Sequence, residues 1–416
     1  MTTVRNVTMS TTDETARPAE LREAMVGQLR EMGAITSERV EAAFRAVPRH
    51  LFAPGAPLEE AYGVNSTVLT KRNEHGVAVS TVSAPRIQAL MLEQAGLAPG
   101  MRVLEIGSGG VNAALISELV GPAGQVVTVD IDQEVVDRAR VCLADAGYPD
   151  VRVVLADAEH GVPAHAPYDR IIVTVGAFDI PPAWREQLAP GGLIVVPLRL
   201  RAGMTRSVVL APEGERLASR GYDLCSFVPM QGVGAGDERL VRLDGEDVGL
   251  RVDGDVLVRV EALRHSLSQP RVEAWSGVTL GGNERFDGLH LWLALNLPRF
   301  GVLQARPKAR ERGLVAHAWP LGMPTALDEA GESFAYLGLR PLTPDKQRCE
   351  FGAYGHGPHA DDLVHQVIEH ITSWDGTSLN AQIEVWPAGT PDDQFPSRDR
   401  ALVVNRQHSR VVVSWP

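Results

Sequence analysis

Val103 to Ala114 reads VLEIGSGGVNAA, an aliphatic run that breaks into Gly107-Ser108-Gly109-Gly110 and resumes as a helical pattern near Asn112. A strand that ends in glycines and turns straight into a helix lets a ligand approach the backbone, because glycine tolerates the turn and presents no side chain. The next aliphatic run ends at Asp130, about twenty residues on, where a carboxylate can accept hydrogen bonds from ribose hydroxyls. Alone, a glycine turn is usually only a turn and an Asp after a strand only a loop cap. Together they point to a nucleotide-like ligand. A dinucleotide site prefers G-x-G-x-x-G, and Asn112 stands at the third glycine position.

Working outward, Val103–Ile106, Val126–Val129, Val151–Leu155, Ile171–Val175 and Leu193–Val196 are short Val- and Ile-rich runs separated by helical stretches. Such alternation predicts an α/β domain with a parallel sheet buried on both faces. Before it, Leu21, Met25, Leu29 and Met32 recur at helical spacing, and Ser37-Glu38-Arg39-Val40 opens a second helix ending near Val47-Pro48. Residues 1–20 have no such pattern and are expected to form a disordered tail. After Pro197 strands are expected at Ser207–Leu210 and Leu224–Val228, then a linker at Gly232–Gly236, so the first domain spans 21–236. The remainder, 237–416, mixes expected strands (Val256–Val260, Ile383–Trp386, Leu402–Val404, Val411–Val413) with helices at Gly288–Leu297 and Asp361–Thr372, an α+β domain.

A net charge of −12 over 416 residues argues against a nucleic-acid ligand, which needs a basic footprint. No stretch approaches the eighteen apolar residues of a membrane span, and the N-terminus lacks a signal-peptide core. Cys142, Cys225 and Cys349 are few and far apart, so the chain reads as cytoplasmic and without a disulfide framework. Nothing in the sequence sets an oligomeric state.

Three further groups carry candidate chemistry. Asp157, after the third run and followed by Ala158, reads either as a partner for an adenine amino group or as a helix N-cap before Glu159 and His160. Ser83, in Thr81-Val82-Ser83-Ala84-Pro85, reads either as a site residue or as the N-cap of the helix Arg86–Ala95. Lys71 and Arg72 are either solvated surface or an attractor of an acidic side chain. His356, His359, His365 and His370 do not make a metal site on this spacing, and Trp292, Trp374 and Trp386 read as core of the second domain.

Several separate segments resemble the protein-L-isoaspartate O-methyltransferase family over roughly residues 20–235. Val47-Pro48-Arg49-His50-Leu51-Phe52 is similar to its VPR-x-x-F motif, Thr81-Val82-Ser83-Ala84-Pro85 to its T-I-S-x-P motif and Val103–Gly109 to its cofactor loop. Ala166–Thr174, Ile180-Pro181, Gln187–Gly192 and Phe227-Val228-Pro229 follow in the family's order. The resemblance implies a Rossmann-like class I methyltransferase sheet and S-adenosylmethionine as methyl donor, leaving as S-adenosylhomocysteine. It implies cofactor contacts from Glu105, Gly107, Ser108, Gly109, Asp130, Ile131, Asp157, Ala158 and Thr174, with Ser83 as the active-site residue at the substrate carboxylate. Thr81, Val82, Lys71 and Arg72 would complete the substrate wall, and no metal is implied.

The stretch Leu69–Ser80 departs from the loop that repair enzymes carry, the cofactor loop is shorter, and the C-terminal region has no counterpart in them. In these departures the chain resembles the branch found with ribosomally made peptide clusters, including FxLD-type lanthipeptides. That branch implies a precursor peptide, cyclised, as partner, an aspartate side chain as methyl acceptor, and an ester that closes to aspartimide and then opens to isoaspartate. The second domain would then recognise the peptide. Repair of isoaspartate and a non-catalytic cofactor-binding module are the alternatives.

Overall fold

The aliphatic runs around Gly107 become parallel strands in a computed structural model that describes residues 11–74, 76–282, 284–374, 381–395 and 401–415. Two units emerge: Met1–Pro197 with Ser207–Ala235, and Leu198–Arg206 with Gly236–Pro416. The division after Ala235 falls beside the expected boundary, but Leu198–Arg206 goes with the second unit rather than the first.

The first unit opens with helices α1 (Thr11–Glu31), α2 (Glu38–Ala46) and α3 (Leu58–Ala61), then strands β1 (Val68–Arg72) and β2 (Ala78–Val82) and helix α4 (Pro85–Ala95). There follow β3 (Arg102–Ile106), α5 (Val111–Val120), β4 (Gln125–Asp130), α6 (Gln133–Asp145), β5 (Arg152–Leu155), β6 (Tyr168–Val173), α7 (Pro182–Glu186), β7 (Leu188–Arg199), β8 (Thr205–Glu213) and β9 (Arg216–Leu224). Residues 1–10 of the expected tail lie outside the described residues. Thr11–Glu20 is helical rather than a tail, because Met25, Val26 and Leu29 bury one stripe of α1 and the helix extends back from that anchor.

The strands run in the order β9-β8-β7-β6-β3-β4-β5, and β5, β4, β3, β6 and β7 pair in parallel. From β3 the chain proceeds to β4 on one side and later to β6 on the other, so the switch point lies at the carboxyl end of β3. Ligands bind at such a crevice because the loops after the two strands diverge there. Val103, Leu104, Ile171, Ile172, Ile194 and Val195 are fully buried, which is why these runs carry no polar alternation. Of the expected strand Leu224–Val228 only Leu224 lies in the sheet, as the last residue of β9, and the segment after it is held to Gly176 through the Val228 carbonyl and the Met230 N–H. Nor is Gly232–Gly236 a free linker: the Val233 N–H donates to the Asp157 carboxylate at 3.0 Å.

In the second unit β10 (Arg239–Asp244), β11 (Val248–Val252), α8 (Val260–Ser268), β12 (Val272–Gly281), α9 (Asp287–Asn296), β13 (Phe300–Ala305), α10 (Pro307–Glu311), β14 (Met323–Leu327), β15 (Phe334–Pro341) and β16 (Arg348–His356) follow one another. They form a seven-stranded antiparallel sheet, β10-β11-β13-β14-β15-β16-β12. Helix α11 (Ala360–Ser373) buries Leu363, Val364, Val367 and Ile371, and β17 (Gln382–Pro387), β18 (Ala401–Asn405) and β19 (Ser409–Ser414) pair antiparallel in the order β18-β19-β17. The class is α+β. Val256–Val260 is not a strand, because Val260 begins α8, where Leu263 and Leu267 face the core at helical spacing. Trp292 is core, donating its indole N–H to the His370 carbonyl, whereas Trp374 and Trp386 are only half-buried.

Candidate active site

The glycine turn is set by crowding. Gly107 has φ +100° and Gly110 φ +84°, and a Cβ would lie 2.5 Å from Thr174 Oγ1 at the first and 2.9 Å from the Phe52 ring at the second. Thr174, just beyond β6, donates its hydroxyl toward the Ile106 and Gly107 carbonyls at 3.0 and 2.9 Å, so β6 clamps the turn that leaves β3. Asp130 clamps it from β4, accepting the Ser108 N–H at 2.9 Å through one oxygen and the Asp132 N–H at 3.0 Å through the other. Burial raises the Asp130 carboxyl above its ordinary range.

Gly109 is different. A Cβ there would meet only the Thr81 carbonyl, at 3.7 Å, so the fold does not demand glycine at this position. Its missing side chain keeps a small cleft open, lined by Thr81, Val82, Ser83, Gln88, Glu105 and Thr174 and closed by Met91, Val111, Asn112 and Phe227. Glu105 is fully buried. Its Oε2 accepts the Thr128 hydroxyl at 2.6 Å, and its Oε1 has no partner in hydrogen-bond geometry among the described residues. Burial pushes its carboxyl up to about 7, with Thr128 and Asn112 offsetting that only in part. The Ser108 hydroxyl is likewise buried and has no partner among the described residues. Two orphaned polar atoms beside a backbone with room above it fit a polar ligand seated on the glycine turn.

Ser83 reaches this cleft from the other direction. Helix α4 takes Ala84, not Ser83, as its N-cap and has no side-chain cap bond, so the capping reading of Ser83 does not hold. The Ser83 carbonyl is instead held by the Arg49 guanidinium, and Ser83 lines the cleft. Asp157, by contrast, is a cap: it accepts the Glu159 N–H at 2.9 Å over the turn Ala158–His160, and its other oxygen takes the Val233 N–H. Ala158 is buried and Ile131 exposed.

The structure thus gathers Thr81, Val82, Ser83, Glu105, Gly109 and Thr174 around one cleft and sets Gly107, Ser108 and Asp130 in its supporting loop. Lys71 and Arg72 lie elsewhere. Lys71 is paired with Asp132 at 2.7 Å and with Glu134 at 2.8 Å in a separate groove beside α6, and Arg72 donates to the Gly76 carbonyl at 2.7 Å. Sequence reasoning gave no role to Arg49, Gln88, Met91, Asn112 or Phe227. Gln88 carried a readable signal, since it is the one polar side chain on a helix face with Met91, Leu92 and Ala95. Phe227 was legible only as part of the Phe227-Val228-Pro229 motif, and its place beside the serine was not, because about 140 residues separate the two. Among the described residues no group of three or more His, Cys, Asp or Glu side chains is placed to hold a metal, and no helix is long and apolar enough to cross a membrane.

A parallel sheet with a glycine turn at its switch point and a carboxylate closing the next strand is that of a class I, S-adenosylmethionine-dependent methyltransferase. Residues 20–233 match the family described as protein-L-isoaspartate(D-aspartate) O-methyltransferase, and the chain belongs to that family. The protein-L-isoaspartate O-methyltransferase of Methanopyrus kandleri is 41% identical over 213 residues, covering 51% of this chain and 91% of that protein. The enzyme of the same name from Pyrococcus horikoshii is 42% identical over 209 residues, covering 50% and 91%. A solved protein-L-isoaspartate O-methyltransferase aligns over 87% of this chain and 96% of its own with 24% identity and a TM-score of 0.49.

Proposed function

We propose that the chain methylates an aspartyl side-chain carboxyl of a ribosomally made, cyclised precursor peptide at the Ser83 cleft. One observation carries the chemistry: Ser83, freed from capping, lines the same small cleft as Gly109 and Thr174 of the cofactor loop. Gly107, Ser108 and Gly109 would hold the cofactor along their backbone, with Asp130 at its ribose. S-adenosylmethionine supplies an electrophilic methyl group on a sulfonium, so no enzyme nucleophile is needed. The protein's part is alignment and dryness: the Ser83 hydroxyl orients the acceptor oxygen, and Met91, Val111 and Phe227 exclude water. In the ester, the next backbone nitrogen attacks the carbonyl, methanol leaves and an aspartimide forms.

The choice of an aspartate in a precursor peptide rests on resemblance, in the stretch Leu69–Ser80 and in residues 237–416, to which we assign peptide recognition. The cytoplasm is the compartment we assign. Repair of isoaspartate is a second reading, favoured by the 41% identity to an enzyme carrying that name. Incubation with S-adenosylmethionine and a cyclised aspartyl precursor, in competition with a linear isoaspartyl peptide, separates the two. The first reading expects a gain of about 14 Da (one methylene) or a loss of about 18 Da (one water) on the precursor. Methylation of the isoaspartyl peptide alone would reverse the assignment.

A further inference from the structure

Arg49 lies in the short 3-10 turn Arg49–Phe52 and is 2% exposed. Its Nε donates to the Ala61 carbonyl at 2.6 Å, one terminal nitrogen to Gln88 Oε1 and the other to the Ser83 carbonyl. A guanidinium has only donors, so the Gln88 atom facing it has to be the amide oxygen, which leaves the amide nitrogen for another partner. Gln88 is 4% exposed and lines the Ser83 cleft. Among the described residues its Nε2 makes no hydrogen bond, the only bond to its amide being the one that Oε1 accepts from Arg49. A buried amide that shows two unspent N–H groups to a cleft is completed by an oxygen-bearing ligand.

The charge behind that amide has a sign. No carboxylate among the described residues pairs with Arg49, and burial pushes its guanidinium down to about 9, which leaves it cationic at neutral pH. An unpaired buried cation one hydrogen bond away from the cleft favours an anion there. Glu105, on the far wall, is held protonated in part by the same low polarity, so it opposes that anion weakly at pH 7 and below.

We propose that Gln88 binds the substrate carboxylate through its amide N–H groups, beside the Ser83 hydroxyl, and that Arg49 is the positioning residue that fixes both. This rests on the carboxyl-methylation reading above and adds a residue that selects an ionised carboxyl over a neutral amide. Aspartyl is thereby distinguished from asparaginyl, because an amide nitrogen facing Gln88 would set donor against donor.

The test uses the full chain, S-adenosylmethionine, a cyclised aspartyl peptide and a linear isoaspartyl peptide. Gln88→Glu keeps the acceptor that Arg49 requires while removing both donors and adding a repelling charge. It is expected to raise the KM for the accepted peptide about 10- to 100-fold while the KM for S-adenosylmethionine stays within about twofold. Gln88→Met, which fills the same space without donors, is expected to raise the peptide KM by about tenfold. For Arg49→Lys, which cannot span three acceptors, the peptide KM rises too, and adding Gln88→Met raises it by less than about twofold further, since the pair acts as one unit. A purely structural Arg49 would lower Tm and kcat and leave the peptide KM in place, which overturns its positioning role. A wild-type peptide KM in both Gln88 variants overturns the proposal. If the wild-type chain methylates neither peptide, the carboxyl-methylation reading falls and takes this proposal with it.

Discussion

Glu105→Gln isolates the energetic cost of a buried carboxyl at the heart of the cleft. Glu105 is fully buried, and burial raises its carboxyl from 4.5 to about 7. A raised carboxyl contributes stability that is complete below the unfolded value, about pH 4.5, and is lost as pH rises through about 7. At pH 8 the ionised side chain therefore costs about 3 kcal/mol, because each tenfold change in the protonation equilibrium between folded and unfolded chain is worth ~1.4 kcal/mol. Glutamine still accepts the Thr128 hydroxyl, but it puts an N–H where Oε1 now has no partner, which costs about 1–3 kcal/mol at every pH. The stability difference between variant and wild type should thus move in the variant's favour by about 3 kcal/mol between pH 4.5 and pH 8, whatever its starting value. Urea unfolding at four pH values measures it, with the first unit's transition assigned as the one that S-adenosylhomocysteine shifts. A difference that changes by less than about 1 kcal/mol across that range refutes the burial argument. Retention of a carboxyl at this cost implies use, so affinity for S-adenosylhomocysteine is expected to fall about tenfold in the variant, read by calorimetry.

Ser83→Ala should lower kcat/KM for the peptide by about 10- to 100-fold with cofactor affinity intact. Its stability should stay within about 0.5 kcal/mol of wild type, where a lost helix cap would have removed about 1 kcal/mol. Gly107→Ala forces a Cβ to 2.5 Å from Thr174 Oγ1 at φ +100°, and a loss of about 2–4 kcal/mol in urea unfolding is expected. In the second unit Glu238 accepts both Arg199, at 2.7 Å, and Arg251, and its side chain is 5% exposed. Glu238→Ala removes the carboxylate that both arginines share and is expected to cost about 3–5 kcal/mol, again by urea unfolding; a loss under about 1 kcal/mol would show that the shared carboxylate is not needed to hold them.

Much of the first unit was legible because its determinants are local. Five aliphatic runs bounded by Gly, Pro or Asp read as strands; β3, β4 and β6 are covered on both faces as expected, whereas β5, at the sheet edge, is half exposed and ends in the exposed Leu155. The glycine turn and Asp130 were readable for the same reason, since a turn residue's role is written in its own backbone. The second unit was less legible, because antiparallel strands that alternate weakly, such as β12, take their burial from partners far along the chain. Val256–Val260 has strand composition, and the face bearing Leu263 and Leu267 overrode it.

By itself the sequence determined the class of fold, the glycine turn after β3 and the motif that contains Ser83. Only the tertiary structure decided what those residues do. It gave the α4 cap to Ala84 and so released Ser83, engaged Asp157 as a cap, and drew Lys71 away to Asp132 and Glu134. It also joined Arg49, Ser83 and Gln88 through one buried guanidinium. The physical reason is that a side chain's role depends on which donors and acceptors remain unpaired once the chain has folded. Residues thirty or forty positions apart settle that question, and no local pattern records it.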